Sequence, residues 1–227
     1  PPRDVIHLGF ADPSLVLGAE DNFSSQPQSR KTGLAAMRPA AIEPFRRSDP
    51  SEDVWIIPRD PRSVAVPGHP IVRPLECEKL DLGVTLAVVT GPGGTVAGYS
   101  VGIDVIRRDV PVEHAYLARS YPSHLQLDSA LCSPTELDAA DTIELTLSID
   151  GEERQHCSMS DLVVQPATLL ASIDRRYRLA GGEVILMGTP PGTALDRGDG
   201  WLTDGATVVA AITGIGELRT HVVAATT

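Results

Sequence analysis

Lysine is almost missing from this chain. Lys31 and Lys79 are the only two, and arginine supplies the rest of the basic side chains. Acidic residues outnumber basic ones 30 to 19, for a formal net charge of −11 over 227 residues. Such a surface repels phosphate backbones and anionic lipid, so neither nucleic acid nor membrane is expected as a partner. Cysteine is scarce and odd in number: Cys77, Cys132 and Cys157 lie far apart with no C-x-x-C. That spacing supports neither a zinc knuckle nor a disulfide framework and suits a reducing compartment. No apolar run reaches the roughly 18 residues a membrane helix needs. The start shows no basic stretch followed by an apolar core of the signal-peptide kind. The expected setting is cytoplasmic. Also missing are G-x-S-x-G, a P-loop and a G-x-G-x-x-G placed after a strand.

What is present is a β-rich pattern. Apolar residues make up 42% of the chain, enough for a sizeable core. Residues 1–70 read as irregular, with a polar loop at DNFSSQPQSRKTG (21–33) and short strand candidates at VWIIP (54–58) and SVAV (63–66). We take 1–70 as a small N-terminal, lid-like segment and 71–227 as the catalytic domain. Strand patterns then follow at GVTLAVVTG (83–91), TVAGYSVGIDVI (95–106), IELTLSIDG (143–151), EVILMGT (183–189) and ATVVAAITGIGELRTHVV (206–223). One helix stands out, in MSDLVVQPATLLASIDRRYRL (159–179). A Ser160/Asp161 cap and the mid-segment Pro166 predict a short piece, a break, and a helix from about Ala167 to Arg178. Leu169, Leu170, Ile173 and Tyr177 would lie on one face. The class is α+β, β-rich, with few helices.

Three stretches carry candidate chemistry. In KLDLGVTLAVVTG (79–91), Leu80, Leu82, Val84, Leu86 and Val88 alternate as a strand, while Asp81, Gly83 and Thr85 take the other face. A glycine inside a strand marks a bulge, a bend or a close backbone approach. In GYSVGIDVIRRD (98–109), Asp104 emerges near a strand end as a metal ligand or a base; the alternative has Asp109 capping a turn and pairing with Arg108. In VILMGTPPGTA (184–194), Gly188 and Thr189 open a rigid loop whose hydroxyl and backbone N–H could meet an anion, or which is only a stiff turn. The six histidines show no ligand spacing.

In order and spacing, DLGVTLAVVTG, GYSVGIDVIRRD, ARSYPSH, DGEERQ and LAGGEVILMGTPPG resemble the motifs of the fumarylacetoacetate hydrolase family. That family reads D-x-E-x-E-L-A-V-V-x-G, G-Y-x-x-x-N-D-x-S-x-R-D, a K-S-F segment, an N-G-x-x-x-Q hairpin and G-D-V-I-x-T-G-T-P-x-G. The resemblance implies a mixed-sheet, β-roll fold and a homodimer. It also implies Mg²⁺ or another hard divalent cation, held by two glutamates and an aspartate, that stabilises the enolate of a 2-oxo or 1,3-diketo acid. The aspartate falls on Asp104, and the preceding strand aspartate on Asp81. The two glutamates fall on Gly83 and Thr85, which carry no carboxylate. A lone carboxylate holds Mg²⁺ poorly. The reading is therefore a diverged member with no metal ligands of its own; Mg²⁺ enters only if ligands come from elsewhere, such as Glu20 or Glu76. The family's His–Glu dyad for water activation is also gone from GFADPSLVLG (9–18).

The cationic positions survive as arginines: Arg119 for the K-S-F lysine, and Arg47 of PFRR for a second lysine. Arginine binds carboxylates bidentately. The implied site has Asp104, Arg119 and Thr189 as catalytic groups, and Arg47, Arg108, Gly188 and Asp81 as substrate-binding groups. The implied substrate is a small anionic or enolisable molecule of β-dicarbonyl or 2-oxo acid type. The expected chemistry is metal-independent proton transfer leading to isomerisation, cyclisation, dehydration or decarboxylation in a specialised biosynthetic pathway, with Asp104 as general base or acid. The alternatives are a metal-dependent C–C hydrolase of the usual family type and a non-catalytic binding homologue.

Overall fold

The computed structural model describes residues 6–7, 16–20, 55–137 and 143–226. The strands are β1 (Ile6–His7), β2 (Val16–Glu20), β3 (Trp55–Arg59), β4 (Val64–Ala65), β5 (Ile71–Arg73), β6 (Leu80–Thr90) and β7 (Val96–Arg107). After a short helix α1 (Ala115–Arg119) come β8 (Leu125–Leu127), β9 (Ala130–Leu131), β10 (Glu144–Ile149) and β11 (Glu152–Ser158). Helix α2 (Pro166–Tyr177), β12 (Val184–Leu186), helix α3 (Ala194–Arg197) and the hairpin of β13 (Thr207–Ile212) and β14 (Gly216–Ala224) complete the described chain.

A seven-stranded sheet has the order β3-β2-β12-β6-β7-β8-β4, and a five-stranded sheet the order β11-β10-β13-β14-β5. Both are mixed: β2 with β12, β4 with β8, and β5 with β14 pair in parallel. The larger sheet is strongly curled. Its edge strands β3 and β4 are separated in sequence only by residues 60–63. Five chain steps span at most about 17 Å, whereas six strand spacings laid flat need about 29 Å. Curling brings the end of β3 round to β7 and α1. The boundary expected at residue 70 falls between strands of this one sheet.

One core fills the space between the sheets. Leu82, Val84 and Leu86 of β6 and Val101, Ile103 and Val105 of β7 meet Leu145 and Leu147 of β10, Val208 of β13, and Leu169, Leu170 and Ile173 of α2. The apolar alternation of β6 supplies this face. Its opposite face is also covered, so all eleven residues of β6 are buried. α2 begins at Pro166 as an N-terminal proline should, and its break from the 3₁₀ turn Met159–Asp161 is the expected one. The cap differs from expectation: Ser158, with Asp161, closes that turn. Tyr177, placed with the buried face by periodicity, is 51% exposed because the helix ends there and the chain turns away at Arg178. The two short helices α1 and α3 were not visible in the sequence.

Candidate active site

The β6–β7 ladder sets the frame. Gly83 pairs with Asp104 and Thr85 with Gly102, so these positions share the face of the sheet turned away from the main core. Asp104 is 7% exposed. Its Oδ1 accepts a hydrogen bond from Nη2 of Arg59, at the end of β3, and its Oδ2 lies 3.9 Å from Nε of Arg119, at the end of α1. The Arg59 side chain is fully buried, and its Nη1 donates to the carbonyls of Arg119 (3.1 Å) and His124 (3.4 Å). Strand end, helix end and loop thus meet on one carboxylate, with Asp104 between two guanidinium groups.

His124 supports this arrangement from behind. It is fully buried, and its backbone N–H and C=O bond Tyr121 and Val105. Burial, reinforced by the positive charge of Arg59, pushes its imidazole down to about 4, so it is neutral at pH 7.

Thr189 is brought to the same place by the loop after β12. A Cβ on Gly83 would lie 1.8 Å from Thr189 Oγ1 and 2.8 Å from Thr189 Cβ. The threonine side chain therefore stands where a side chain at position 83 would begin. Gln155 of β11 braces it: Oε1 accepts from the Val84 N–H (2.8 Å), while Nε2 donates to Thr189 Oγ1 (3.3 Å) and to the Pro190 carbonyl. Gly188 and Gly192 have φ of 89° and 108°, values that favour glycine. At Gly192 a Cβ would also strike the Arg154 carbonyl at 2.0 Å. The loop is thereby clamped onto the β11 strand.

Asp81 and Arg108, expected among the substrate-binding groups, bind each other instead (Nε–Oδ2 2.9 Å). Asp81 also accepts from the N–H groups of Leu82, Ala194 and Leu195. It is 2% exposed and ties the start of α3 to β6. Asp109 is held by Arg107 rather than Arg108, and it accepts from the Glu78 N–H. Arg47 lies outside the described residues. Arg59 is the cation that the sequence reading passed over; its signal was an arginine ending the strand VWIIPR, directly before Asp-Pro.

The donors that the described residues place on this face do not by themselves suit a hard divalent cation, which wants several carboxylate oxygens. Among the described residues, no three His, Cys, Asp or Glu side chains gather as a metal site. Gly83 and Thr85 offer no carboxylate, the room beside Gly83 is filled by Thr189, and both oxygens of Asp104 face guanidinium groups. The arrangement instead suits an anion, with two arginines and a hydroxyl on one buried face. No helix among the described residues is long and apolar enough to cross a membrane.

Comparison with known proteins bears on the fold and the family. The family model for the fumarylacetoacetate (FAA) hydrolase C-terminal region matches residues 34–223. An uncharacterised protein of Pyrococcus horikoshii is 27% identical over 213 residues, covering 86% of this chain and 90% of that one. A maleylpyruvate hydrolase of Aquipseudomonas alcaligenes is 30% identical over 153 residues. That match covers 63% of this chain but only 53% of the hydrolase. An oxaloacetate tautomerase of Bacillus subtilis is 28% identical over 170 residues, covering 68% and 56%. Among solved structures, 5-carboxymethyl-2-hydroxymuconate delta-isomerase from Mycobacterium smegmatis superposes with a TM-score of 0.75 at 25% identity, covering 94% of this chain and 80% of that one. Fumarylpyruvate hydrolase from Pseudomonas aeruginosa, in complex with Mn²⁺ and pyruvate, shares the fold with a TM-score of 0.75 at 20% identity, covering 93% and 90%. The motifs, the curled mixed sheet and the match over residues 34–223 lead to one conclusion: this chain belongs to the fumarylacetoacetate hydrolase family.

Proposed function

We propose that this chain is an enzyme acting on a small 2-oxo or β-dicarbonyl acid, and that it promotes enolate formation and proton transfer with guanidinium groups where its family uses a metal ion. The observation that carries this reading is the Arg59–Asp104–Arg119 cluster on the face where Gly83 and Thr85 replace carboxylates. An enolate places negative charge on an oxygen that was a neutral carbonyl in the ground state. Preorganised donors in a buried site stabilise that charge without reorganising. Arg59 and Arg119 supply the positive charge, and Thr189 a hydroxyl. Asp104 holds both arginines in place; this is a different role from the general base expected from the sequence, because each of its oxygens is already turned to a guanidinium. The relatives' names support the same class of substrate. Maleylpyruvate and oxaloacetate are 2-oxo acids, and a 2-hydroxymuconate is the enol of one.

Keto–enol isomerisation is the simplest reaction this set supports. In the direction assayed, the hydroxyl proton on carbon 2 of the enol leaves to solvent and a proton from solvent arrives on carbon 3, with no co-reactant. The test is the conversion of enol-oxaloacetate to the ketone, followed by ultraviolet absorbance, alongside cleavage of acetylpyruvate. The expected result is isomerisation that falls at least 100-fold in Arg119→Met, with no cleavage. An inert protein, or turnover indifferent to Arg119, overturns the proposal.

A further inference from the structure

We infer that Ser120 is a positioning residue: with Asp60 it forms a strap that fixes the spacing of the two site arginines before substrate arrives. The inference deepens the reading above and rests on it.

The strap joins two pairs of neighbouring residues. Arg59 ends β3 and Asp60 follows it; Arg119 ends α1 and Ser120 follows it. Arg59 Nη1 donates to the Arg119 carbonyl (3.1 Å), and the Asp60 N–H donates to Ser120 Oγ (3.0 Å). The two bonds run side by side, 59 to 119 and 60 to 120. They differ in what they depend on. The first uses a guanidinium that also serves Asp104, so it weakens whenever that guanidinium shifts toward a ligand. The second joins a backbone N–H to a hydroxyl, and neither belongs to the charged groups of the site.

Helix α1 needs such a tie. Its five residues make little more than one turn, and a helix that short does not hold itself together in water. Arg119 is its last residue, where helices fray. Ser120, the C-cap, is tied to Asp60 at just that point. One turn earlier, Tyr116 Oη lies 3.4 Å from Asp60 Oδ2. Tyr116 and Ser120 are four residues apart and so share a face, while Ala115, Ala118 and Arg119 are buried.

The residue that holds α1 is itself fixed. Asp60 has φ −68° and ψ 124°, the extended conformation that a following proline imposes. Its Oδ1 accepts from the Arg62 N–H (2.9 Å), and its carbonyl accepts from the Ser63 N–H (2.9 Å) and Oγ (2.7 Å). These bonds close the turn that leads into β4. Arg119 is thus hung on the residue next to Arg59. Both guanidinium groups reach Asp104 from backbones already set in place, and preorganised charge meets an oxyanion without reorganising.

One neutral hydrogen bond is a factor of about 5 in an equilibrium. The experiment pairs two readouts on the full chain. Nitrogen-15 relaxation of the arginine Nε–H groups reports side-chain order without ligand. Calorimetry gives the affinity for oxalate, a planar dianion resembling an enolised 2-oxo acid. In Ser120→Ala the order parameter of Arg119 should fall from a rigid value of about 0.85 to below about 0.6. That of Arg73, bonded to Asp204 on the other sheet, should not change. Oxalate should bind about 5-fold more weakly. Ser120→Thr keeps the acceptor and should match the unsubstituted chain in both readouts. A merely structural serine would lower Tm and leave the Arg119 order parameter and the oxalate affinity as they were; that result overturns the inference. So does full oxalate affinity in Ser120→Ala when Arg119→Met weakens oxalate at least 10-fold, and there the arginine site stands. Oxalate that ignores the unsubstituted chain, or binds Arg119→Met equally well, overturns the arginine site of the reading above and this positioning role with it.

Discussion

Substituting Gly83 by alanine adds one methyl group to a strand with no room for it. The new Cβ would lie 1.8 Å from Thr189 Oγ1, 2.8 Å from Thr189 Cβ and 3.1 Å from Gln155 Oε1. Strand β6 cannot easily retreat, since it is buried along its whole length, paired with β7 throughout and held by β12 at Ala87–Val89. Thr189 has to turn away and loses its bond from Gln155. That neutral hydrogen bond is worth about 1 kcal/mol, and overpacking a close-fitted site costs about 1–3 kcal/mol. Against this, relieving glycine of its backbone freedom returns about 0.5–1 kcal/mol. The net expectation is a loss of about 2 kcal/mol, or roughly 4–8 °C in Tm for a chain of this length. With Thr189→Gly already in place, both close contacts vanish and Gly83→Ala should cost close to nothing. Urea unfolding of the four proteins in this double-mutant cycle gives the coupling directly. A cost for Gly83→Ala that agrees within about 0.5 kcal/mol in the two backgrounds would refute the packing argument.

Other outcomes follow from the same contacts. Arg59→Met strands Asp104 with one guanidinium contact fewer in a buried setting; breaking a buried pair costs about 3–5 kcal/mol, and adding Asp104→Leu should recover part of it, both read by chemical denaturation. Asp81→Ala removes the acceptor for three backbone N–H groups and for Arg108; a loss of about 2–3 kcal/mol is expected, with faster amide hydrogen exchange at Ala194 and Leu195. His124 is neutral in the fold down to about pH 4, whereas the unfolded chain protonates it near 6.5. The unfolded state therefore binds more protons between those values. Stability should be full above about pH 6.5 and fall by about 3 kcal/mol on acidification to pH 4; in His124→Gln that part of the slope should be missing.

Much of this protein was legible in its sequence, for a reason that also explains what was not. The strand β6 announced itself because burial imposes a period of two on its neighbours in the chain. The loop after β12 and the break before α2 were marked by proline and glycine, whose backbone limits act locally. The site depends on meetings between residues far apart in sequence. Arg59 and Asp104 are 45 positions apart, and Gln155 and Thr189 are 34 apart. No spacing rule reports such a meeting. The family pattern placed the second cation at Arg47, which lies outside the described residues; Arg59, which no motif marked, is brought to Asp104 by the curl of the sheet. Asp81 and Arg108 looked like ligand groups because they flank the motifs; their mutual pairing became visible only once β6 and β7 were laid side by side. Helices α1 and α3, five and four residues long, are too short to show a helical period.

Manganese binding speaks most directly to the exchange of a metal ion for guanidinium groups. The protein is stripped with EDTA, titrated with Mn²⁺ and followed by electron paramagnetic resonance, while isomerisation of enol-oxaloacetate is timed with and without EDTA. Turnover within about 2-fold in both conditions, with no Mn²⁺ held at Asp104, is the predicted result. One Mn²⁺ bound per chain, lost in Asp104→Asn, together with turnover that EDTA abolishes and Mn²⁺ restores, would contradict it.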